Sequence, residues 1–235
     1  MKKIKYLLWD IDGTVLNFLE AEKAAIRKGF REFNLGTCTD EMLSNYSSIN
    51  KGYWERLERK ELTKPEILVG RFRDFFEKYG LDVNVAEEFN SRYQINLGDT
   101  ICFNDDSFEL IRDLNKTFFQ YAASNGTALA QHKKLRLSGL DKVFDACFIS
   151  DEIGHEKPSM GFFEAVFNYI SIRHGDFSKD EIMIIGDSLT SDIRGGVNAG
   201  IKTCWYNPGG VKNNTEAKPD YVITNLGEIR EILMD

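Results

Sequence analysis

The hydrophobic residues of this chain fall into short runs that are almost continuously apolar and do not alternate with polar residues. Runs of this kind, bounded by polar or turn residues, are typical of parallel β-strands that are covered on both faces. Six of them predict strands, at residues 4–10, 118–124, 144–150, 182–187, 203–207 and 221–224.

Segments with a helical pattern separate these runs from residue 107 onward. Four of them predict helices, at residues 108–115, 128–137, 161–171 and 192–199. Because strands and helices alternate, we expect an α/β fold with a doubly wound, Rossmann-like parallel sheet.

The interval from residue 18 to residue 96 breaks this alternation. Its pattern is helical in four segments and contains no convincing strand, with Pro65 placed to begin a helix and Gly36 and Gly80 placed to follow helix ends. The sequence therefore predicts a core domain made of residues 1–16 and 100–235, and an all-helical domain inserted at residues 17–99.

The composition is that of an ordinary globular protein, with 235 residues, 42% hydrophobic and 29% charged. A formal net charge of −7 argues against nucleic acid or an anionic membrane as the partner. A small phosphorylated substrate stays compatible with this charge, since a local cation or metal can reverse the field at one site.

The four cysteines are scattered without a Cys-x-x-Cys pair, and the three histidines lack metal-ligand spacing with them. This pattern disfavours a zinc site and fits free thiols in a reducing compartment. The lysines at the start precede an apolar run of only four residues, 6–9, which is too short for a signal peptide or a membrane span. We therefore expect a cytoplasmic protein.

Polar residues with chemical potential stand at or just after the ends of four predicted strands. They are the stretch DIDGT at 10–14, SNG at 124–126, Lys157-Pro158 after the third run, and Gly-Asp at 186–187 with Asp192 beyond it. Since ligands of open parallel sheets bind at the carboxyl ends of the strands, we expect these residues to converge on one rim.

Four carboxylates on one rim would repel one another, and their pKa values would rise unless a cation lay among them. Mg²⁺ suits such a site, because it prefers oxygen ligands and commonly binds through one or two carboxylates and a substrate phosphate. Lys157 and Ser124 could stabilise the oxygens of a transferring phosphoryl group.

The four motifs, in this order, resemble those of the haloacid-dehalogenase-like (HAD) phosphohydrolases. The resemblance covers the whole chain, and the inserted helical domain takes the place of that family's C1 cap. It implies that Asp10 is the nucleophile that forms an aspartyl-phosphate. It also implies that Asp12 protonates the leaving oxygen and then serves as the base for the hydrolytic water.

The resemblance further implies which residues hold the metal and the phosphate. Mg²⁺ would be bound by the side chains of Asp10 and Asp187 and by the backbone carbonyl of Asp12. Asp192 would stand behind these ligands, reaching the metal through water or Lys157. The phosphate would be bound by Ser124, Asn125 and Lys157.

Longer stretches of the core resemble one branch of the family, the 5'-nucleotidases that act on pyrimidine nucleoside monophosphates. In the predicted cap, Asn50, Trp54 and Arg71 are the candidates for contacts with the leaving group, because aromatic and basic residues are interleaved there. Trp54 also fits a role in packing the helices.

Other activities share the same core motifs. Hydrolysis of a sugar phosphate or of phosphoglycolate, a phosphomutase reaction, and non-catalytic binding of a phosphorylated metabolite all remain open. Asp12 favours phosphoryl chemistry over dehalogenation, which needs no proton donor for an ester oxygen. The sequence makes no prediction of the oligomeric state.

Overall fold

The structure is a computed structural model that describes residues 3–234. The chain divides into two compact units. The core unit runs up to Asn17 and resumes at Cys102, and the helical unit is Phe18–Ile101. The domain boundaries expected from the sequence lie close to these, while the role of the helical unit as a cap stays a prediction.

The core unit is built on one six-stranded sheet in which every neighbouring pair of strands is parallel. The strands are β1 (Tyr6–Trp9), β2 (Phe119–Ser124), β3 (Ala146–Ile149), β4 (Ile182–Gly186), β5 (Lys202–Tyr206) and β6 (Tyr221–Ile223). Their order across the sheet is β3-β2-β1-β4-β5-β6. This is the order of a doubly wound sheet, so the predicted fold class is confirmed.

Ten α-helices lie in residues 3–234. They are α1 (Phe18–Glu32), α2 (Asp40–Glu58), α3 (Lys64–Lys78), α4 (Ala86–Leu97), α5 (Ser107–Leu114), α6 (Ala128–Ser138), α7 (Ser150–Ile153), α8 (Met160–His174), α9 (Arg194–Ala199) and α10 (Ile229–Met234). The first four make up the helical unit, and the other six belong to the core unit.

The middle of the sheet is fully buried, which explains why its strands read as continuous apolar runs. All four residues of β1 are buried, and Trp9 pairs with Ala122 of β2 on one side and with Ile185 of β4 on the other. Apolar side chains of α8, including Phe162, Phe163 and Val166, pack against this part of the sheet. The strand that carries the DIDGT stretch is therefore held on both edges and by a core cluster.

Helix α6 follows β2 through a short loop and has a defined start and end. The Thr127 hydroxyl oxygen accepts a hydrogen bond from the backbone N–H of Ala130 at 3.4 Å, which caps the amino end of the helix. Gly139, at φ 77°, ends it in the left-handed conformation.

Between β4 and α9 the chain forms a single π-helical turn, Leu189–Ile193. Such wider turns are rare and occur mostly at functional sites. The turn contains Asp192, whose side chain is buried. The sequence pattern predicted an ordinary helix over 192–199, and the structure places the regular part at Arg194–Ala199.

The helical unit is held together by aromatic side chains. Tyr46 stacks on Phe72 with ring centroids 5.0 Å apart, and Phe89 lies 5.0 Å from both Phe72 and Phe76. Pro65 lies in the first turn of α3, as predicted. Gly36 and Gly80, the predicted stops, both have positive φ and follow α1 and α3.

Candidate active site

The candidate site lies where the winding of the sheet reverses, between the neighbouring central strands β1 and β4. In a doubly wound sheet this switch point opens a crevice at the carboxyl ends of the two strands. Asp10 follows β1 directly and Asp187 follows β4 directly. The backbone N–H of Asp10 donates to the carbonyl of Ile185 at 2.9 Å, so both carboxylates start from the same fixed edge.

Two glycines leave room for the carboxylates in this crevice. A Cβ added to Gly13 would lie 2.7 Å from Oδ2 of Asp187, and a Cβ added to Gly186 would lie 2.3 Å from Cγ of Asp192. Gly13 also has a φ of 105°, which other residues rarely adopt. Glycine is therefore required at both positions, because a carboxylate lies too close to each backbone for a Cβ to fit.

Two side chains from a distant part of the chain hold the loop after β1. The Asn104 amide donates to the carbonyls of Gly13 at 3.1 Å and Thr14 at 2.9 Å, and the Ser107 hydroxyl donates to the carbonyl of Val15 at 2.9 Å. Both lie far from this loop along the chain, so no local pattern could have indicated their role.

The ammonium of Lys157 makes three hydrogen bonds in the floor of the site. Its Nζ lies 2.8 Å from Oδ1 of Asp10, 2.6 Å from Oδ1 of Asp192 and 2.5 Å from the carbonyl oxygen of Ala123. These three acceptors match the three donors of an ammonium group. Burial lowers the pKa of Lys157, but the two carboxylates outweigh burial and raise it, so the side chain is a fixed cation.

The SNG motif is joined to the Lys157 loop by the side chain of Asn125. Its Oδ1 accepts from the backbone N–H of Lys157, and its Nδ2 donates to the Lys157 carbonyl, both at 2.8 Å. The buried Ser124 hydroxyl oxygen accepts from the N–H of Gly126 at 3.0 Å, and its own proton can be donated. The structure thus uses the Asn125 side chain to position Lys157, and the expected phosphate contacts stay predictions.

The Asp10 carboxyl is buried, and its two oxygens have unlike surroundings. Oδ1 accepts from Lys157, whereas Oδ2 is buried and has no hydrogen-bond partner within residues 3–234. Burial raises the pKa of Asp10 well above its usual range; Lys157 opposes this rise, while Asp192 and Asp187 add to it. A buried carboxylate oxygen without a hydrogen-bond partner fits a cation ligand, because a cation there would compensate its burial.

Asp187 and Asp192 complete a cluster of carboxylates with Asp10, and ligand oxygens of the three lie within 4.8 Å of one another. Thr14 donates to Oδ1 of Asp187 at 3.1 Å. Asp187 stays accessible to water, yet the protein around it and the charge of Asp192 raise its pKa to about 7. These oxygen donors fit a hard divalent cation such as Mg²⁺.

Asp192 differs from the other two carboxylates because both of its oxygens are already engaged. Oδ1 accepts from Lys157 at 2.6 Å, and Oδ2 accepts from the backbone N–H of Ser188 at 3.1 Å. Asp192 therefore helps to hold Lys157 in place, and its expected role outside the direct ligands of the metal stays a prediction.

Asp12 is bound to α6 by two side chains that belong to none of the four motifs. Gln131 donates to its Oδ2 at 2.6 Å, and Lys134 forms an ion pair with its Oδ1. The two residues are three positions apart on one helix, which puts them on the same face. That spacing is visible in the sequence, but nothing there indicates that this face meets Asp12.

The three cap candidates lie in the helical unit, where two of them are buried. Asn50 and Arg71 are 3% and 2% exposed, and Nη1 of Arg71 donates to Oδ1 of Asn50 at 2.6 Å. The Asn50 amide donates to Oε2 of the buried Glu22 at 2.8 Å. Trp54 is half-buried. Their contact with a leaving group stays a prediction.

The fold and the site are those of an α/β protein with an acidic cluster and a buried lysine at the switch point. The family model of the haloacid dehalogenase-like hydrolases matches residues 7–206. The chain belongs to this family, and the predictions of the family and of an enzyme of the hydrolase class are confirmed.

Relatives that match over almost the full length of the chain are also hydrolases. The HAD-hydrolase YfnB of Bacillus subtilis is 37% identical over 99% of this chain and 97% of its own. The pyrimidine 5'-nucleotidase PynA of Streptococcus pneumoniae is 34% identical, over 97% and 94%. The pyrimidine 5'-nucleotidase YjjG of Escherichia coli is 25% identical, over 98% of each chain.

A crystal structure of YfnB bound to magnesium, which reveals interdomain movement in that protein, matches this fold with a TM-score of 0.90 over 99% of both chains. Within residues 3–234, no helix is long and apolar enough to cross a membrane.

Proposed function

We propose that this protein is a Mg²⁺-dependent phosphatase that hydrolyses pyrimidine nucleoside 5'-monophosphates through an aspartyl-phosphate. The observation that carries the proposal is the buried Asp10 carboxyl, with Oδ1 bound to Lys157 and Oδ2 without a hydrogen-bond partner in the described residues. In this role a carboxylate needs oxygen lone pairs that no proton donor occupies, both for the metal and for the attack on phosphorus, together with charge compensation for the incoming phosphate.

In the first step one carboxylate oxygen of Asp10 attacks phosphorus, and the bond between phosphorus and the ester oxygen breaks. Asp12 gives its proton to the departing oxygen. In the second step water attacks the phosphorus of the aspartyl-phosphate, Asp12 takes a proton from that water, and Asp10 and inorganic phosphate are released.

Mg²⁺ would be held by the carboxylates of Asp10 and Asp187 and by the backbone carbonyl of Asp12. Bound there, it would supply positive charge to the phosphoryl oxygens and orient them for in-line attack. Thr14 fixes Asp187 through a 3.1 Å hydrogen bond, and Asp192 fixes Lys157 at 2.6 Å.

Lys157 compensates the charge that builds up as a phosphate dianion meets a carboxylate. All three of its protons are directed to protein acceptors, so it acts from the floor of the site with its position fixed by Asn125. Ser124 and the backbone N–H groups after it would bind the phosphoryl oxygens from the side of β2. In this proposal the helical unit acts as the cap that selects the leaving group.

The preference for pyrimidine nucleotides rests on the resemblance of sequence and on the name of PynA, a relative of 34% identity. Release of inorganic phosphate should be measured in Mg²⁺ with UMP, dUMP, dTMP, AMP, GMP, phosphoglycolate and several sugar phosphates, for the wild type and Asp10→Asn. We expect the pyrimidine nucleotides to be the best substrates and Asp10→Asn to be inactive.

Each other result has a definite meaning. If sugar phosphates or phosphoglycolate are hydrolysed best, the mechanism stands and the nucleotidase assignment is wrong. If a sugar phosphate is converted to its isomer without release of phosphate, the enzyme is a phosphomutase. If no ester reacts, the proposed phosphatase function is wrong, and the phosphomutase and the non-catalytic binding alternatives are favoured.

A further inference from the structure

Asp12, the acid–base residue of the proposed mechanism, is bound by two side chains of α6. Gln131 donates to one oxygen of Asp12 at 2.6 Å, and Lys134 is paired with the other. The Asp12 side chain is one-fifth exposed, whereas the side chain of Lys134 is almost completely covered. The carboxylate thus meets solvent on one side and a fixed pair of donors on the other.

Lys134 is a buried cation that the phosphoryl-transfer mechanism above does not use. A lysine is almost never fully buried unless it is paired, because removing an ammonium from water is strongly unfavourable. Lys134 forms an ion pair with Asp12, the residue to which the mechanism assigns both proton transfers.

The buried Gln131 amide is also directed to Asp12. Its Nε2 donates to Asp12, while its Oε1 is buried without a hydrogen-bond partner in residues 3–234. A buried amide that only stabilised the fold would be expected to have both ends satisfied. The SNG loop at 124–126 leaves space for this amide, because a Cβ on Gly126 would lie 2.3 Å from Nε2 of Gln131.

We propose that Gln131 and Lys134 are positioning residues for Asp12, fixing its carboxylate so that its remaining lone pairs face the transferred protons. This inference rests on the proposed function. A carboxylate has about four acceptor positions, so two bonds to α6 leave room for the ester oxygen or the water.

The test compares kcat and KM of the wild type, Lys134→Met, Gln131→Met, Asp12→Asn and the double variant Asp12→Asn with Lys134→Met. The substrates are dUMP and p-nitrophenyl phosphate in Mg²⁺. Arg136→Met is the control, because Arg136 is an exposed cation on the same helix without a contact to Asp12.

We expect Lys134→Met to lower kcat on dUMP about 100-fold and Gln131→Met about 10-fold, with KM changed less than about 3-fold, since a misplaced proton donor affects the chemical step. In the double variant, Lys134→Met should add almost nothing to the loss from Asp12→Asn, because residues that act as a unit are not additive. Arg136→Met should keep the wild-type constants.

The leaving group gives an independent readout. p-Nitrophenolate departs without a proton, so the first step should stay fast in Lys134→Met and give a burst of one p-nitrophenol per site. The second step, which still needs Asp12 as a base, should then be slow. A purely structural effect would lower the burst amplitude and act equally on both esters.

Three results would overturn the inference. The first is a loss of kcat in the double variant that equals the product of the losses in the two single variants. The others are wild-type kcat and KM in both Lys134→Met and Gln131→Met, or a change in KM alone. If Lys134→Met does not fold, Gln131→Met and its double variant with Asp12→Asn decide by the same criteria. A wild type that hydrolyses no ester overturns the proposed function and this inference together. A wild type that is active while both variants equal it overturns only the inference.

Discussion

Lys157 donates a hydrogen bond to Oδ1 of Asp10 across 2.8 Å, and the two residues are separated by 146 intervening positions of the chain. Lys157 is 1% exposed and Asp10 is 8% exposed, so the pair is formed inside the protein. The ion pair joins the loop between α7 and α8 to the end of β1, and the second oxygen of Asp10 has no hydrogen-bond partner in the described residues. Both the stability of the crevice and the proposed chemistry depend on this ion pair.

Replacing Lys157 by Met should affect both properties. The change leaves the buried carboxylates of Asp10 and Asp192 without their cation, which should lower the free energy of unfolding by about 3–5 kcal/mol at neutral pH. The rate of phosphate release should fall at least about 100-fold. Thermal denaturation and a phosphate assay measure the two effects, with the exposed Lys142→Met as control. An unchanged kcat in a folded Lys157→Met protein would refute the role of Lys157.

Binding of Mg²⁺ should depend on pH through Asp187 and Asp10. Both pKa values are raised in the metal-free protein, that of Asp187 to about 7, so protons compete with the cation below neutrality. Mg²⁺ affinity should therefore rise with pH from about 6 to about 8. Titration calorimetry in two buffers of different ionisation enthalpy should detect proton release, and affinity that is independent of pH would contradict the assignment.

The same shift predicts the pH dependence of stability. A carboxyl whose pKa is raised on folding stabilises the metal-free protein most fully below its usual pKa of 3.8, and this contribution is lost as pH rises through about 7. Melting temperatures of the metal-free wild type and of Asp187→Asn should diverge accordingly. The fall in melting temperature between pH 5 and pH 8 should be smaller in Asp187→Asn than in the wild type. An equal fall in the two proteins would contradict the raised pKa of Asp187.

Much of the fold is visible in the sequence because buried parallel strands must be apolar on both faces. Each of the six apolar runs contains most or all of a strand, and the helical segments between 18 and 96 correspond to α1–α4. The π-helical turn at Leu189–Ile193 was not predicted, since the pattern of apolar residues does not distinguish it from the start of α9.

The convergence of the four motifs could be predicted because the carboxyl ends of parallel strands share one edge. The contacts of Asn104, Gln131 and Lys134 could not, because they join segments about 90 to 120 positions apart through side chains with no distinctive spacing. Phosphate binding by Asn125, expected from its motif, stays a prediction, and the hydrogen bonds of its side chain to the backbone of Lys157 were not expected. Hydrogen bonds over such distances follow from the packed fold and not from a local pattern.

Gly186→Ala tests whether the site needs a glycine beside Asp192. The new Cβ would lie 2.3 Å from Cγ of Asp192, so that carboxylate must move and Lys157 must lose a partner. We expect a loss of kcat of at least about 10-fold and a lower melting temperature.

Gly52→Ala is the matched control. Gly52 lies in α2, and no atom lies within 4 Å of an added Cβ. Its replacement should raise the free energy of unfolding by about 0.5–1 kcal/mol. If Gly186→Ala behaves like Gly52→Ala in both assays, the close packing at Asp192 has no functional importance.

Arg71→Met separates the two interpretations of the cap candidates. Arg71 is buried, bonds to Asn50 and lies with its guanidinium carbon 5.1 Å from the centre of the Tyr93 ring. Loss of this network should lower the free energy of unfolding by about 2–4 kcal/mol. The exposed Arg73→Met serves as control. A raised KM with unchanged stability would instead identify Arg71 as a substrate contact.

The central claim is that Asp10 carries the phosphoryl group, and trapping that intermediate tests it most directly. The enzyme should be quenched in acid during turnover of the best substrate, reduced with borohydride and digested with trypsin. Mass spectrometry of the peptide 6–23 should show the reduced residue at position 10 in the wild type and none in Asp10→Asn. Reduction at another residue, or none in the wild type under conditions that trap known aspartyl-phosphates, would contradict the proposed mechanism.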